Sequence, residues 1–465
     1  MTSEYDVIVI GAGSTGENVA WYARDNGLSV AIVESGLVGG ECSYWACIPS
    51  KVLLRTPEVL AAARRVPGAA AAVTGELDVD AALARRDQFV KGWDDDDQAG
   101  WLQSIGVDLV RGRGRLAGER TVEVESADGG RRALTARTAV VVATGSRAAV
   151  PPVEGLRDIR VWDNRDATSA KHVPARLLVL GGGAVGCEMA QAWRGLGAEE
   201  VTIVEMQDRI IPPYEPFASG LLHQSLEEAG VRVLTGKKAV RARRQADDAP
   251  VTLTLDDDTE LVGDELLVAV GRVFNSDDLG VETVGLEPGG PLEVDDRLRV
   301  KAVDGDWLYA AGDVNGRALL THQGKYQARL IGDLVAGKRR EALADRVAVP
   351  QVIFTDPQVA AVGPTEQQAR DAGRSVKAVE YDLAGVSGAA LLGQAVRGRA
   401  KLVLDQDRRV IVGATFVGPL AGELLHAATI AIVGEVPVDR LWHAVPAFPT
   451  VSEVWLRLLE ADRGL

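Results

Sequence analysis

Three cysteines occur in 465 residues, too few to staple a chain of this length, so those that matter must be read as chemistry. Cys42 and Cys47 fall in the run Gly39-Gly40-Glu41-Cys42-Ser43-Tyr44-Trp45-Ala46-Cys47-Ile48-Pro49-Ser50-Lys51. Cys187 stands alone in a helical pattern, where a small buried hydrophobe is the ordinary occupant, and is assigned no role. Glycine is the second informative type: Gly11-Ala12-Gly13-Ser14-Thr15-Gly16 and Gly181-Gly182-Gly183-Ala184-Val185-Gly186 share one spacing. Such a turn permits a tight bend and close backbone approach. The helix after it offers its first N–H groups and partial positive charge to a pyrophosphate. An acid about 20 positions on accepts ribose hydroxyls, and Glu34 and Glu205 occupy those places. One hexad alone is no more than a strand-to-helix turn; two complete units are a strong signal.

The elements around the hexads fit. Asp6 to Ile10 is a short apolar run before the first turn, an amphipathic stretch then reaches Gly27, and Ser29 to Val33 is a second strand ending at Glu34. Leu177 to Leu180, a helix, and Val201 to Val204 repeat the pattern. Val140 to Gly145 reads as a buried parallel strand entering a turn, and Val150-Pro151-Pro152 as a domain exit. Trp307 to Ala311 is a strand delivering Gly312-Asp313, with helical spacing from Thr321 to Leu334. After Pro350 strands and helices alternate without another fingerprint, which predicts a separate α+β domain. Asp94 to Asp97 reads as a solvated turn or as negative charge near a helix N-terminus.

Two dinucleotide units in one chain imply a hydride donor and a bound acceptor, a nicotinamide nucleotide and a flavin. Glu205 sits where a 2′-phosphate would meet like charge, which favours NADH; Arg209 nearby keeps NADPH possible.

With the run Gly39 to Lys51 coming directly after the first unit, the chain resembles the class I pyridine nucleotide-disulfide oxidoreductases, the family of dihydrolipoyl dehydrogenase, glutathione reductase and mercuric reductase. The resemblance covers essentially the whole chain. It implies a redox-active disulfide between Cys42 and Cys47, with Cys47 against the flavin in a charge-transfer pair and Cys42 as the interchange thiol. In an ideal helix, Cα atoms five residues apart are about 8–9 Å from each other, beyond the ~7 Å a disulfide spans, so the helix must distort. A strained bond near a helix N-terminus suits a working disulfide; two unlinked buried thiols are the competing reading. The resemblance further places Lys51 at the flavin's reactive edge with Glu188 as its partner, against the plainer reading of a surface ion pair. Thr144-Gly145 and Gly312-Asp313 resemble FAD contacts, and Gly271-Arg272 the turn out of the nicotinamide-nucleotide domain. Phe354-Thr355-Asp356-Pro357 resembles the opening of the dimerisation domain, implying a homodimer.

The pattern breaks near the C-terminus. The family's disulfide reductases carry His-x-His-Pro-Thr-x-x-Glu, the second histidine acting as acid/base. Here Pro449-Thr450-Val451-Ser452-Glu453 puts Phe448 at that histidine, while Glu453 retains the orienting carboxylate. Sliding the motif to Pro446 puts Val445 there instead. His443 is expected to be packing rather than a substitute, and His322 and His426 are weaker candidates. Loss of such a group typically slows chemistry by about 10²–10⁴-fold. Between the cysteines, Tyr44-Trp45 is either an aromatic platform for a flat acceptor or packing for the distorted turn.

A net charge of −15 and the lack of a basic, aromatic-interleaved run exclude nucleic acid as a partner. No stretch is apolar enough to span a membrane and no leader precedes the first strand, so cytoplasmic residence is expected. The expected fold class is α/β, with two Rossmann-like dinucleotide-binding domains for FAD and NAD(P) and a C-terminal α+β dimerisation domain. The boundaries are 1–150 and 273–346 for the FAD and central parts, 151–272 for NAD(P)H, and 347–465 for dimerisation. The expected function is electron transfer from NADH through FAD and the cysteine pair to a disulfide or other small acceptor. Direct quinone or dye reduction is the alternative, and a redox-sensing flavoprotein a third. Mercuric ion is disfavoured, because the chain has no C-terminal cysteine pair.

Overall fold

The computed structural model describes residues 3–465. Contacts divide the chain into two compact units. One comprises the chain up to Pro49, Asp87–Ala149 and Gly271–Arg346; the other comprises Ser50–Arg86, Val150–Val270 and Val347–Leu465.

The first unit is built on a seven-stranded sheet in the order Asp108–Arg111, Val30–Glu34, Ser3–Ile10, Arg131–Val142, Thr121–Glu125 and Arg113–Leu116, with Leu308–Ala310 added beside the end of Arg131–Val142. Ser3–Ile10 pairs in parallel with both Val30–Glu34 and Arg131–Val142, and Leu308–Ala310 pairs in parallel with Val140–Val142. Val7 to Ile10, Val30 to Val33 and Ala139 to Val142 are all buried, as expected of strands covered on both faces. Parallel pairing brings the C-terminal ends of three strands to one edge of the sheet. That edge carries Gly11, Thr144 and Gly312.

The second unit contains a four-stranded parallel sheet in the order Val231–Leu234, Glu200–Val204, Arg176–Leu180 and Glu265–Val268. A three-stranded antiparallel sheet, Ala239–Arg244, Val251–Leu255 and Glu260–Gly263, is inserted in the chain between Val231–Leu234 and Glu265–Val268. After Pro350 comes a five-stranded antiparallel sheet in the order Gln351–Ile353, Gln358–Val362, Val410–Gly418, Arg399–Asp405 and Val376–Asp382. The helices Ala421–Val433 and Val454–Arg463 supply side chains to the core that includes this sheet.

The two glycine turns share their sterics. A Cβ on Gly11 would lie 2.5 Å from the Ala143 carbonyl oxygen, and one on Gly16 would lie 1.8 Å from that of Gly11. On Gly181 and Gly186 it would meet the Ala269 and Gly181 carbonyl oxygens at 2.5 and 2.0 Å. At the middle glycines the space is open: nothing comes within 4 Å of such an atom on Gly183, and only the Gly40 Cα, at 3.9 Å, approaches Gly13. The outer glycines therefore serve backbone packing, while the middle ones face free volume.

One expectation changes. Asp96 and Asp97 lie in the first turn of the helix Asp96–Ser104, as helix-dipole considerations suggest. Asp95, however, is buried rather than solvated, accepting from the Val38 N–H at 2.6 Å and from Arg111 at 2.8 Å. It holds down the loop that leads to Gly39.

The steric contrast has a direct consequence. Gly186→Ala is expected to destabilise the second unit by several kcal/mol, because a backbone oxygen blocks the new methyl; Gly183→Ala is expected to cost less than about 1 kcal/mol. Urea titrations of both variants check this, and equal midpoints would contradict it.

Candidate active site

The run containing the cysteines folds as two helices rather than one. Gly39 and Gly40 take left-handed conformations, with φ of +109° and +59°, and a short helix spans Gly40–Tyr44. Trp45, at φ −137° and ψ 1°, ends it, and a second helix starts at Cys47 and continues to Arg64. This break is the distortion demanded by the spacing. It allows Cys42 and Cys47 to approach one another. Cys42 hydrogen-bonds Cys47, and this bond, together with the lesser effect of burial, pushes the Cys42 thiol far above its usual range. A hydrogen bond from Thr321 and the charge of Lys325 act in the opposite direction. Cys47 Sγ lies 3.3 Å from Thr321 Oγ1.

The cysteine loop is fixed to the first glycine turn. The Gly39 N–H donates to the Ala12 carbonyl at 2.7 Å, and a Cβ on Gly40 would lie 2.8 Å from the Gly13 Cα. Glu34 accepts from the Ala12 N–H at 2.6 Å and the Gly36 N–H at 2.7 Å, which orients its carboxylate at the rim of the same turn. Gly312 N–H donates to Gln327, whose amide in turn donates to Asp345 at 2.9 Å. Asp313 accepts from the Ser146 hydroxyl at 2.6 Å, and Ser146 also receives Arg272 Nε at 2.5 Å. Burial raises the Asp313 carboxyl, with the Ser146 hydrogen bond and the Arg272 charge opposing the rise. Thr144 and Asn275 exchange two hydrogen bonds, at 2.8 and 2.9 Å, and the Asn275 N–H donates to the Gly145 carbonyl. Gly271, which enters the strand Arg272–Phe274, has a φ of +145°.

In the second unit Glu205 repeats the role of Glu34, accepting from the Gly182 N–H at 2.7 Å and the Gln207 N–H at 2.8 Å. Arg209 donates to the main-chain carbonyls of Tyr214 and Pro212 at 2.9 and 2.5 Å. Lys51 Nζ meets Glu188 at 2.7 Å, with 6% of the glutamate side chain exposed. The other Glu188 oxygen accepts from the Phe354 N–H at 2.9 Å, and the Lys51 ammonium lies 4.9 Å from the centre of the Phe354 ring. This is a part-buried pair between distant segments, not a surface helix pair.

Both carboxylates at the turns and both open middle glycines leave room for, and hydrogen-bond acceptors toward, a dinucleotide at each site. FAD fits the first turn: Gly11, Gly13, Gly16 and Glu34 would hold its pyrophosphate and ribose, with Asp313, Thr144 and Gly145 on the same sheet edge. The nicotinamide nucleotide fits Gly181, Gly183, Gly186 and Glu205.

The C-terminal residues differ from expectation in one respect. His443 is exposed in the turn after the helix Val438–Leu441, not packed, because that helix ends before it. His322 and His426 are exposed as well. Phe448 is 73% exposed and Val445 87%. Glu453 is buried; one oxygen accepts from Arg457 at 2.6 Å, and the other has no partner among the described residues. Tyr44 is buried with its hydroxyl donating to the Asp94 carbonyl at 3.0 Å, so it is packing rather than a platform; Trp45 is partly exposed. Cys187 is buried and its thiol raised by burial.

Two dinucleotide turns, one joined to a reducible cysteine pair, define a flavin- and nicotinamide-dependent class of oxidoreductase. Residues 5–328 match the pyridine nucleotide-disulphide oxidoreductase family and residues 349–458 its dimerisation domain. The chain is 36% identical to a dihydrolipoyl dehydrogenase of Thermus scotoductus, covering 98% of this chain and 97% of that protein. It is 29% identical to a mercuric reductase of Staphylococcus aureus, covering 97% of this chain and 81% of the relative. Among solved structures, LpdA of Mycobacterium tuberculosis superimposes with a TM-score of 0.87 at 26% identity over the full length of both chains. The HOCl-induced flavoprotein disulfide reductase RclA of Escherichia coli, in its Cu(II) complex, shares the fold, with a TM-score of 0.86 at 24% identity and 99% of each chain covered. The chain belongs to the pyridine nucleotide-disulphide oxidoreductase family, which uses FAD and NAD(P)H. Among the described residues no helix is long and apolar enough to cross a membrane.

Sequence reasoning passed over Thr321 and Glu17. Thr321 begins the helix Thr321–Val335, and only the fold brings it to the sulfurs. Glu17, in the first turn of the helix Gly16–Asp25, is pushed up to about 7 by burial, with the charge of Lys325 opposing. A carboxyl raised in the folded state binds its proton more tightly there than when unfolded, so stability falls as pH rises from about 4.5 through 7. Glu17→Gln is expected to match the native thermal midpoint near pH 4.5 and to exceed it at pH 8. A midpoint lower than native at pH 8 would contradict the assignment.

Proposed function

We propose that this chain oxidises NADH and passes two electrons through the Cys42/Cys47 pair to a small disulfide. The observation that carries this reading is the broken helix, which brings Cys42 against Cys47 beside the turn that fits FAD. When bound, FAD supplies the two-electron relay between nicotinamide and sulfur.

The residues account for the rest. Opening the sulfur–sulfur bond takes two electrons and one proton, leaving a thiolate on Cys47 and a thiol on Cys42. For the return, Cys42 gives up its proton and attacks the acceptor disulfide, releasing one thiol. Cys47 then attacks the mixed disulfide and displaces the second thiol, closing the pair; the overall exchange takes one proton from solvent. Lys51, which meets Glu188 at 2.7 Å, is the cation that the family resemblance assigns to the flavin edge. Glu453 would serve the C-terminal part of the site, here tied to Arg457 instead of a histidine.

NADH is the donor this reading favours. Glu205 stands where a 2′-phosphate would be repelled, and Arg209 has turned two of its nitrogens to main-chain carbonyls. Activity as a homodimer is supported by the dimerisation-domain match and by the exposed apolar side chains of Ile430, Val433, Val445 and Phe448, which a second copy would cover. The described residues bring no second cysteine pair to receive a metal ion, so mercuric reduction is not favoured.

A second reading rests on Phe448. With an exposed ring where the family resemblance expects a histidine, deprotonation of Cys42 lacks its usual base, and a quinone or dye that takes electrons directly from flavin would avoid that step.

Two measurements test these readings. In an NADH-oxidation panel with lipoamide, low-molecular-weight disulfides and quinones, Cys42→Ser is expected to abolish disulfide turnover and spare quinone turnover, while Phe448→His raises disulfide turnover at least about tenfold. Disulfide turnover that survives Cys42→Ser would sink the dithiol route. Separately, kcat/KM is expected to be at least about tenfold higher for NADH than for NADPH, with Glu205→Gln narrowing the gap; a native preference for NADPH would refute the donor assignment.

A further inference from the structure

Reduction of the pair leaves one negative charge for two sulfurs, and something must decide which of them holds it. Three features point to Cys47. It opens the helix Cys47–Arg64, where unpaired N–H groups and partial positive charge favour an anion. Cys42 donates a hydrogen bond to it. The Thr321 hydroxyl lies 3.3 Å from its sulfur. Thr321 begins the helix Thr321–Val335, which is anchored by Gln323 and Gln327 donating to Asp345 at 2.8 and 2.9 Å, so the hydroxyl is held in place.

We infer that Thr321 is a positioning residue that fixes the charge of the reduced pair on Cys47, its hydroxyl donating to that sulfur while Cys42 keeps its proton. This rests on the proposed role of the pair as electron carrier. A hydroxyl has one proton to give. Contact with both sulfurs therefore lets it follow the charge: it donates to Cys47 once the pair is reduced and turns to Cys42 when that sulfur ionises to attack the acceptor. The charged groups around the pair are Lys325, on the same helix as Thr321 and acting on Cys42, and Glu17, on which Lys325 acts in turn. His322, next to Thr321, is exposed. Comparison among Thr321 variants leaves all three unchanged.

The test measures the ionisation of Cys47 directly. In the FAD-loaded Cys42→Ser protein, the rate of Cys47 alkylation by iodoacetamide is followed from pH 5 to 10, with the modified residue identified by mass spectrometry. Thr321→Val is expected to raise the midpoint by about one pH unit or more, the effect of losing one hydrogen bond to a charged sulfur. Thr321→Ser is expected to restore it. Buried Cys187 serves as the internal control for folding, since it stays unmodified in the intact chain; should Thr321→Val expose it, Thr321→Ala takes its place. An unchanged midpoint in the folded variant, or failure of Thr321→Ser to restore the native value, overturns the inference. Failure of the electron-carrier reading shows separately: NADH would then generate no new thiols in the native protein, whatever the alkylation midpoints.

Discussion

Two sulfurs five positions apart can meet only if the helix between them is broken, and much of the first unit serves that break. Trp45 leaves helical conformation, Tyr44 is buried and tied to the Asp94 carbonyl, and Asp95 pins the Val38 N–H just ahead of Gly39. Gly39 and Gly40 then bring the loop so close to the Gly13 backbone that no side chain fits at Gly40. The dinucleotide turn and the cysteine loop are therefore one packed object. The cysteine pair and the turn that would hold FAD are held together by backbone contact.

The second unit reuses the same solution for a different purpose. Its glycine turn has the same two blocked positions and the same open one, and Glu205 accepts two main-chain N–H groups just as Glu34 does. The difference lies in the path of the chain beyond the acid. After Glu34 it runs to the cysteines; after Glu205 it curls so that Arg209 caps the carbonyls of Pro212 and Tyr214. A carboxylate already holding two N–H donors is fixed in place, and in the proposed reading it would be both a ribose acceptor and a barrier to a phosphate. On that reading, selectivity for the nucleotide would be attached to the same hydrogen bonds that shape the turn.

Much of this was legible in the residues because it depends on local sterics. The strands before each hexad, the hexads, their acids and the Lys51 partner Glu188 all stand where spacing or resemblance puts them. The features that were not legible depend on tertiary approach. An aspartate run looks solvated until one member, Asp95, is found facing a buried N–H. Tyr44 and Trp45 are equivalent as neighbours in sequence, yet the helix break sends one ring into the core and leaves the other partly exposed. Thr321 lies 274 residues from Cys47, and no periodicity could have paired them. His443 falls just beyond a four-residue helix whose end sets its exposure.

On the proposed disulfide route the hardest chemistry is proton removal from Cys42. Its hydrogen bond to Cys47 and its burial both hold the proton on, and these are the same features that keep the charge on Cys47 after reduction. A site that stabilises one sulfur as thiolate therefore makes the other a poor nucleophile until a base intervenes. Lys325 and Thr321 work against this, the first by charge and the second by a hydrogen bond. Glu453 is no substitute: it is buried and paired with Arg457. Two routes are open to such a protein: an acceptor whose own leaving group or basic centre takes up the proton, or one that draws electrons before the interchange thiol is needed. In both, the reactivity of the acceptor compensates for a base that the chain does not place at Phe448.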